Sequence, residues 1–411
     1  MQASQERHET VRSADYDVCM LLQNSFRNDA RVLNEARSLA QRGYRLKLLA
    51  LRDADQPEME RVQGFDVHRV HLWSRVLRAR WHMGFKLLEF VLRLTVHAVR
   101  SNADVYHAHH PVCLLPAVIA ARWNRGKVVY DLHELNFELP RQTRMQSIVM
   151  KRYERALLPC TDAVITSDGE SRGRLFQSTY GYEGPMHYLF NYAMERAPDF
   201  EAKDLHAALK LDRSCALVMY SGMIGSDRGM DVAIESMAHW PSDAHFVMIG
   251  MRTATEEQRL NALADAQGVR PRIHFFGPVP ADEVTAWMTN ARVSLVLIQD
   301  VALSYRYSTP TKMFESIVAR IPQVASDLPE IRKVVRENPV GPVGEVVTPD
   351  DPTQIGTAIH ALLLDETKHS VYRSNADELA RTRYNWQVQE PTLDRIYADL
   401  LGASSKDFTV A

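Results

Sequence analysis

Apolar residues recur along this chain in two alternating rhythms, and the alternation predicts its architecture. VCMLLQ, from Val18, is an apolar run of strand length. Asp29 to Gly43 follows with Val32, Leu33, Ala36, Leu39 and Ala40 on one helical face and Gly43 as a C-terminal stop. Residues 44–51, 65–70, 104–107, 127–130 and 163–166 read as further short strands, separated by helical patterns. The rhythm breaks around Phe190-Asn191-Tyr192, with Pro198 shortly after, and then resumes. Residues 216–220, 245–249, 273–275, 293–298, 323–326 and 345–347 read as strands, with a helix over 230–239 and helices from Thr353 onward. Repeated β-α units of this kind build a parallel sheet with helices on both faces. The prediction is an α/β chain of two doubly wound domains joined near residue 192, with ligands in the cleft outside the strands' carboxyl ends.

Composition narrows the picture. At 411 residues the chain is too long for one core, which agrees with two domains. Hydrophobic content of 45% and a net charge of −2 are those of a globular protein, and no run reaches the ~18 apolar residues of a membrane span. The polar, mixed-charge N-terminus reads as neither signal peptide nor anchor. Cys19, Cys113, Cys160 and Cys215 form no C-x-x-C pair and read as buried free thiols in a reducing compartment, so the expected location is cytoplasmic. The first half is net basic and the second net acidic, which points to an anionic surface or substrate near the first half. The near-neutral pI argues against nucleic acid.

Residues 305–327, YRYSTPTKMFESIVARIPQVASD, carry the most chemistry. Ser308 and Thr309 offer N-cap hydroxyls, and Pro310 suits the first helical position, where no N–H is needed. Met313, Phe314, Ile317 and Val318 recur at helical spacing, so one face packs into a core. Free N–H groups, the helix dipole and Lys312 together make an anion site. Glu315, one turn further, is placed to accept from vicinal hydroxyls of whatever carries the anion. An ordinary capped helix with Lys312 and Glu315 solvated has the same signature.

Other loops add weaker signals. Gly222, Gly225 and Gly229 bracket a turn after strand 216–220, with Arg228 leading into the helix, an arrangement suited to phosphate oxygens. It is neither a Walker loop nor G-x-G-x-x-G, and a plain strand–helix turn shares it. FGPVP places Gly277 and Val279 where backbone groups lie beside a planar base. YDLHE, residues 130–134, ends a strand with three polar groups aimed at the cleft; His133 fits a substrate contact and equally a structural histidine. His107, His109 and His110 lack an established ligand spacing, and Asp53-Ala54-Asp55 reads as a surface loop, so no metal site is expected.

Taken in order, these loops resemble those of glycosyltransferase family 4, the retaining GT-B enzymes that use nucleotide-sugars. The resemblance rests on NSFRNDARVLNEARSLAQRGY, DVYHAHH, VVYDLHE, YSGMIGSDRGMDVAIESM, FFGPVP and YSTPTKMFESIVARIPQVASDLPEI. It ends on YNWQVQEPTLDRIY, which looks like the family's closing helix, and spans nearly the whole chain. It implies an α/β GT-B fold of two Rossmann-like domains facing across a central cleft. An acceptor domain would span 1–192, a nucleotide-sugar domain 193–385, and the returning helix and tail 386–411.

The resemblance also implies residue roles. Glu315 would hold the ribose hydroxyls, and backbone N–H groups around Thr309, Thr311 and Lys312 would cradle the diphosphate. Arg228 stands for a basic residue, usually Lys, that neutralises the leaving phosphates, and His133 for a histidine near the reacting carbon. Gly222, Gly225, Gly277, Val279, Tyr307 and Ser308 would lie beside the donor. Asn24, Asp29, Arg31, His109 and Glu134 would lie on the acceptor side.

Two departures stand out. Tyr307 replaces a glutamate eight residues before Glu315, and Met223 replaces an arginine after the first glycine. Lys312, in a Ser-x-Pro-x-Lys-x-x-Glu arrangement, is expected to supply the missing positive charge. The expected activity is retaining transfer to a hydroxyl acceptor, in cell-surface polysaccharide, glycolipid or glycosylated-metabolite synthesis. No metal or cofactor beyond the nucleotide-diphosphate sugar is expected. A nucleotide-sugar 2-epimerase and a non-catalytic nucleotide-sugar binder share the architecture.

Residues 73–100 carry Arg75, Arg78, Arg80, Lys86, Arg93 and Arg100 against Glu89, interleaved with Trp81, Phe85 and Phe90. A second basic run, residues 141–155, holds Arg141, Arg144, Lys151, Arg152 and Arg155. Both fit docking on an anionic membrane, at its inner face, and both fit core helices whose long cations snorkel to water.

Overall fold

In a computed structural model, the structure describes residues 14–27, 29–76, 83–140, 142–197, 200–225 and 228–402. Asn28, Arg78, Arg80, Trp81, Arg141 and Pro198, singled out or spanned above, lie outside the described residues. The first sheet contains β1 (Tyr16–Leu21), β2 (Leu46–Leu51), β3 (Met59–Val62), β4 (Phe65–Val70), β5 (Ala103–Ala108), β6 (Lys127–Leu132), β7 (Ala163–Thr166) and β8 (Met186–Tyr188). Their order is β3-β4-β2-β1-β5-β6-β7-β8, parallel throughout except for the β3–β4 hairpin. β1 is central, so Val18 to Leu21 are fully buried and Leu21 pairs with both Leu49 and Ala108. Strands buried on both faces read as continuous apolar runs, which is why the sequence shows them. β3 and β8 escaped that reading: Met59–Val62 alternates exposed and half-buried residues at an edge, and Met186–Tyr188 has three.

The second sheet contains β9 (Ala216–Ser221), β10 (Ala244–Ile249), β11 (Ile273–Phe276), β12 (Val293–Val296), β13 (Gln323–Ser326) and β14 (Gly344–Val347). Its order is β11-β10-β9-β12-β13-β14, all parallel. β12 stops two residues short of the predicted Ile298, and the helix expected over 230–239 turns 3-10 at Met237–His239. Cys19 and Cys113 are buried thiols, whereas Cys160 and Cys215 are partly exposed, contrary to expectation. In each sheet the chain turns back on itself beside the central strand, which opens a crevice at the carboxyl ends of β1 and β9. The last helix, Trp386–Leu401, packs on the first sheet's helix Ala30–Gln41: Trp386, Leu393 and Ile396 share a core with Val32 and Leu39, and Trp386 Nε1 donates to Ser38 Oγ at 2.8 Å.

Candidate active site

The ends of β1, β5, β6 and β7 face those of β9, β10, β11 and β12 across a cleft with a cavity of about 450 Å³, a size that holds a small-molecule ligand. On the second-domain side, Gly222 follows β9 at φ 125°, in the left-handed region that favours glycine. A Cβ on Gly250, which follows β10, would stand 1.8 Å from the Gly222 carbonyl oxygen. Two strand ends therefore touch through bare backbone and leave the space in front of them open.

Helix Thr311–Val318 buries Met313, Phe314, Ile317 and Val318 against Val296 and Ala325. This pins the helix with Lys312 and Glu315 on the cleft wall. Lys312 Nζ donates to the Tyr220 hydroxyl at 2.8 Å and lies 3.9 Å from the centre of that ring. Tyr220 in turn donates to the Met223 carbonyl at 2.7 Å. Burial, then the Arg228 charge, push the Lys312 ammonium down to about 7, with Glu315 opposing. Glu315 accepts from Ser221 Oγ at 2.9 Å, and burial raises its pKa against the pull of Ser221 and Lys312. Arg228 lies 4.9 Å from the Tyr305 ring centre.

The N-terminus of this helix differs from the expectation. Ser308 and Thr309 do not cap it; Pro310 is the N-cap and makes no side-chain cap hydrogen bond. Ser308 Oγ donates to the Tyr305 carbonyl at 2.8 Å. Thr309 is drawn to the other domain: its N–H and its hydroxyl (2.9 Å) both donate to Asp168 Oδ1. The Thr309 N–H is thus taken, and the N–H groups free to meet an anion are those of the first turn, at Thr311 and Lys312.

On the first-domain side, His133 and Glu134 line the cleft, while Asp131, expected beside them, is fully buried behind it. His133 Nε2 and His109 Nδ1 reach Asp131 Oδ2 at 3.0 and 3.2 Å. Arg31 Nε and Nη2 donate to the same carboxylate at 2.8 and 2.9 Å, and Nη1 donates to the Asn191 side chain and the Leu189 carbonyl. Glu35 lies 3.0 Å from Arg31 Nε. Burial opposes the charged His133 imidazolium, but Asp131 outweighs it and the net shift is upward. Asp131, despite burial, is held well below the carboxylate range by Arg31 and His133. Burial pushes Glu35 up to about 8, against Arg31.

Glu35, His107, His109 and Asp131 bring possible metal-ligand atoms within 4.8 Å of one another. Arg31 Nε pairs with both carboxylates of the group, at 3.0 Å from Glu35 and 2.8 Å from Asp131. His110 stands apart and accepts from the Val112 N–H at the head of helix Pro111–Asn124.

Most predicted residues converge. Asp29, Arg31, His133, Glu134, Gly222, Val279, Ser308, Thr309, Thr311, Lys312, Glu315 and Arg228 line the cavity. A second lobe takes in Asn24, His109 and Asn136 and shares Asp29, His133, Glu134 and Asn191 with the first. Arg31 is spent on its carboxylates, and Asp29 accepts from Val32 N and Asn24 Nδ2. Gly225, Gly277 and Tyr307 lie outside the cavity wall; Tyr307 ends the short helix Leu303–Arg306. Sequence reading missed Asp168, Arg172 and Tyr220. Asp168 had one signal, its place just after β7, at the end where ligand loops gather.

Comparison with known proteins bears on the chain as a whole. The profile described as Glycosyltransferase Family 4 matches residues 30–191, and that described as Glycosyl transferases group 1 matches residues 202–379. A D-inositol 3-phosphate glycosyltransferase of Xylanimonas cellulosilytica is 24% identical over 387 residues, covering 89% of this chain and 90% of that one. A phosphatidyl-myo-inositol mannosyltransferase of Mycobacterium leprae is 24% identical over 323 residues, covering 75% and 76%. Among solved structures, sucrose-phosphate synthase of Thermosynechococcus elongatus superposes with a TM-score of 0.79 at 17% identity, covering 94% of this chain and 99% of that one. The Anabaena HepE protein, in complex with UDP-glucose, superposes with a TM-score of 0.70 at 15% identity and the same coverage.

Proposed function

Because the chain belongs to glycosyltransferase family 4 and has the GT-B architecture, we propose that it is a retaining transferase that moves a sugar from a nucleotide-diphosphate donor to a hydroxyl acceptor without a metal. The observation that carries this reading is one helix end where an uncapped first turn, Lys312, Glu315 and Arg228 meet across the cleft from His133.

Breaking the anomeric C–O bond puts negative charge on the departing diphosphate and positive charge on the sugar ring. The Thr311 and Lys312 N–H groups, the helix dipole, and the Lys312 and Arg228 cations stabilise the leaving group in place before reaction. Lys312 Nζ lies 3.2 Å from where a Cβ of Gly222 would stand, so its charge sits under the glycine turn. That supports its standing in for the arginine replaced by Met223. Glu315 accepts from the ribose hydroxyls, and Val279 lies beside the base. His133, oriented by Asp131, contacts the donor sugar. The acceptor attacks the face the nucleotide leaves, and the departing phosphate oxygen takes its proton. Asp29, Glu134 and Asn191, shared by the two lobes, lie where acceptor meets donor.

A thermal-shift screen against UDP-, GDP-, dTDP- and ADP-sugars, with and without EDTA, tests the donor reading. A selective, EDTA-resistant stabilisation is expected; nucleotide release or exchange without any acceptor would instead mark an epimerase.

We also place the acceptor at a membrane surface. Helices Met83–Ser101 and Arg144–Leu157 expose Phe85, Leu88, Leu92 and Val96, and Met145 and Val149, with Arg144 and Arg152 exposed and Lys86 and Lys151 partly so. Phe90, counted above in the same stripe, faces the core instead. No helix among the described residues is long and apolar enough to cross a bilayer, so docking would be peripheral. The mycobacterial relative, whose name specifies a phosphatidyl-inositol acceptor, fits a lipid-linked hydroxyl. Co-sedimentation with liposomes that rises with anionic lipid is expected, and binding indifferent to lipid charge contradicts the docking.

A further inference from the structure

The sequence and the structure disagree at Thr309, and the disagreement has a mechanical meaning. Thr-Pro-Thr-Lys is a capping sequence: a Thr309 hydroxyl at the N-cap with Pro310 at the first helical position would accept from the N–H of Thr311 or Lys312. In the structure the helix starts at Thr311 and the hydroxyl is turned away, donating to Asp168 Oδ1 at 2.9 Å, with the Ser167 carbonyl of the same loop a longer acceptor at 3.4 Å. Asp168 belongs to the first domain, two residues past β7, and is 3% exposed. It is itself held in place. Its Oδ2 accepts from Ser167 Oγ at 2.8 Å and pairs with Arg172, one turn along helix Glu170–Tyr180. Arg172 is 2% exposed; it donates to the His133 carbonyl in its own domain and to the Ser304 carbonyl in the other, each at 2.7 Å. Leu135 N adds a bond across the cleft to Ser304 Oγ at 3.2 Å. One carboxylate and one guanidinium, both buried where the domains meet, therefore decide where the Thr309 hydroxyl points.

Resting on the donor-site reading above, we propose that Asp168, braced by Arg172, is a positioning residue that arms the diphosphate site when the two domains meet. It draws Thr309 off the end of helix Thr311–Val318, so the first-turn N–H groups face the cleft unsatisfied. With the domains apart, Thr309 has no carboxylate to reach and caps its own helix, filling the donors the diphosphate needs. Closure and donor binding are then one coupled equilibrium, and a half-open enzyme holds its donor weakly.

The test is calorimetric binding of inorganic pyrophosphate and of UDP to full-length protein: wild type, Asp168→Ala, Thr309→Val and the double variant. Asp168→Ala lets Thr309 cap its own helix, so affinity for both probes falls on the order of tenfold. The double variant has no hydroxyl to cap with and recovers to within about threefold of the wild type, a non-additivity that neighbours sharing one hydrogen bond display. Thr309→Ser in the Asp168→Ala background keeps the hydroxyl and stays weak. If Asp168→Ala does not fold, Asp168→Asn carries the same test with a smaller loss. A double variant no tighter than the single one is what plain structural damage gives, and it overturns the proposal. So does an Asp168 variant that binds like the wild type. Wild-type protein that binds neither probe removes the donor site itself, and this inference with it.

Discussion

Two buried cations, one in each domain, show how differently a protein treats charge it keeps and charge it offers. Arg31 is ringed by acceptors: the Asp131 carboxylate at 2.8 and 2.9 Å, Glu35 at 3.0 Å, the Asn191 amide and the Leu189 carbonyl. Despite burial, Asp131 and then Glu35 hold it more firmly charged than usual. Lys312, just as deep, meets a phenol oxygen and the face of a ring, and makes no ion pair among the described residues. Burial lowers its pKa to about 7. An arginine paired directly with its counter-charge is architecture; a lysine with no direct ion pair, its nearest opposing charge the more distant Glu315, at a helix end whose N-cap is a proline, waits for an anion.

The sharpest way to break the contrast is to remove each cation. Lys312→Ala should lower transfer activity on the order of 10²- to 10³-fold, the usual cost of losing a preorganised donor to developing charge. Its stability in chemical denaturation should match or exceed the wild type, since an unpaired buried charge is gone. Arg31→Ala should do the reverse: it strands the buried Asp131 carboxylate and costs about 3–5 kcal/mol of stability. Equal stability losses in the two variants would erase the distinction.

The carboxylates sharpen it further. Glu35 is pushed by burial up to about 8, above its unfolded value, so the folded state binds the extra proton between roughly pH 4.5 and 8. Stability carried by that proton is complete below the unfolded pKa and is lost as pH rises through the folded one. Glu35→Gln, a neutral mimic, should keep near-wild-type stability and flatten the pH slope in that window. Asp131→Asn, which discharges the partner of Arg31 and His133, should destabilise across the whole range.

The smallest effect expected is on donor affinity. An anion beside Lys312 raises its pKa, so binding takes up a proton. Affinity should then fall as pH rises above about 7, by at most tenfold per unit. Titrations at pH 6.5, 7.5 and 8.5 read this directly, and affinity flat across them breaks the assignment.

Much of this was legible in the chain. Parallel strands buried on both faces announce themselves as apolar runs, so β1 and β7 stood out, whereas edge strands β3 and β8 did not. Lys312, Glu315 and Arg228 were visible as an anion site and a phosphate turn, but an ordinary capped helix and a plain strand–helix turn share those signatures, and it was the resemblance of the ordered loops that gave the three residues their roles. Asp131 was placed in the cleft because its neighbours point there; that it faces Arg31 instead depends on a contact 100 residues away. Thr309 misled for the same reason. Local sequence specifies a cap, and a carboxylate 141 residues earlier overrides it. Long-range partners of polar side chains are what local patterning cannot carry.

Lys312 is proposed as the cation that the donor diphosphate neutralises. Calorimetry of pyrophosphate binding at pH 8, in two buffers of different ionisation enthalpy, measures the protons taken up. Uptake approaching one proton is expected for the wild type and about none for Lys312→Met, with weaker binding. No uptake by the wild type, or the same uptake in the variant, would contradict it.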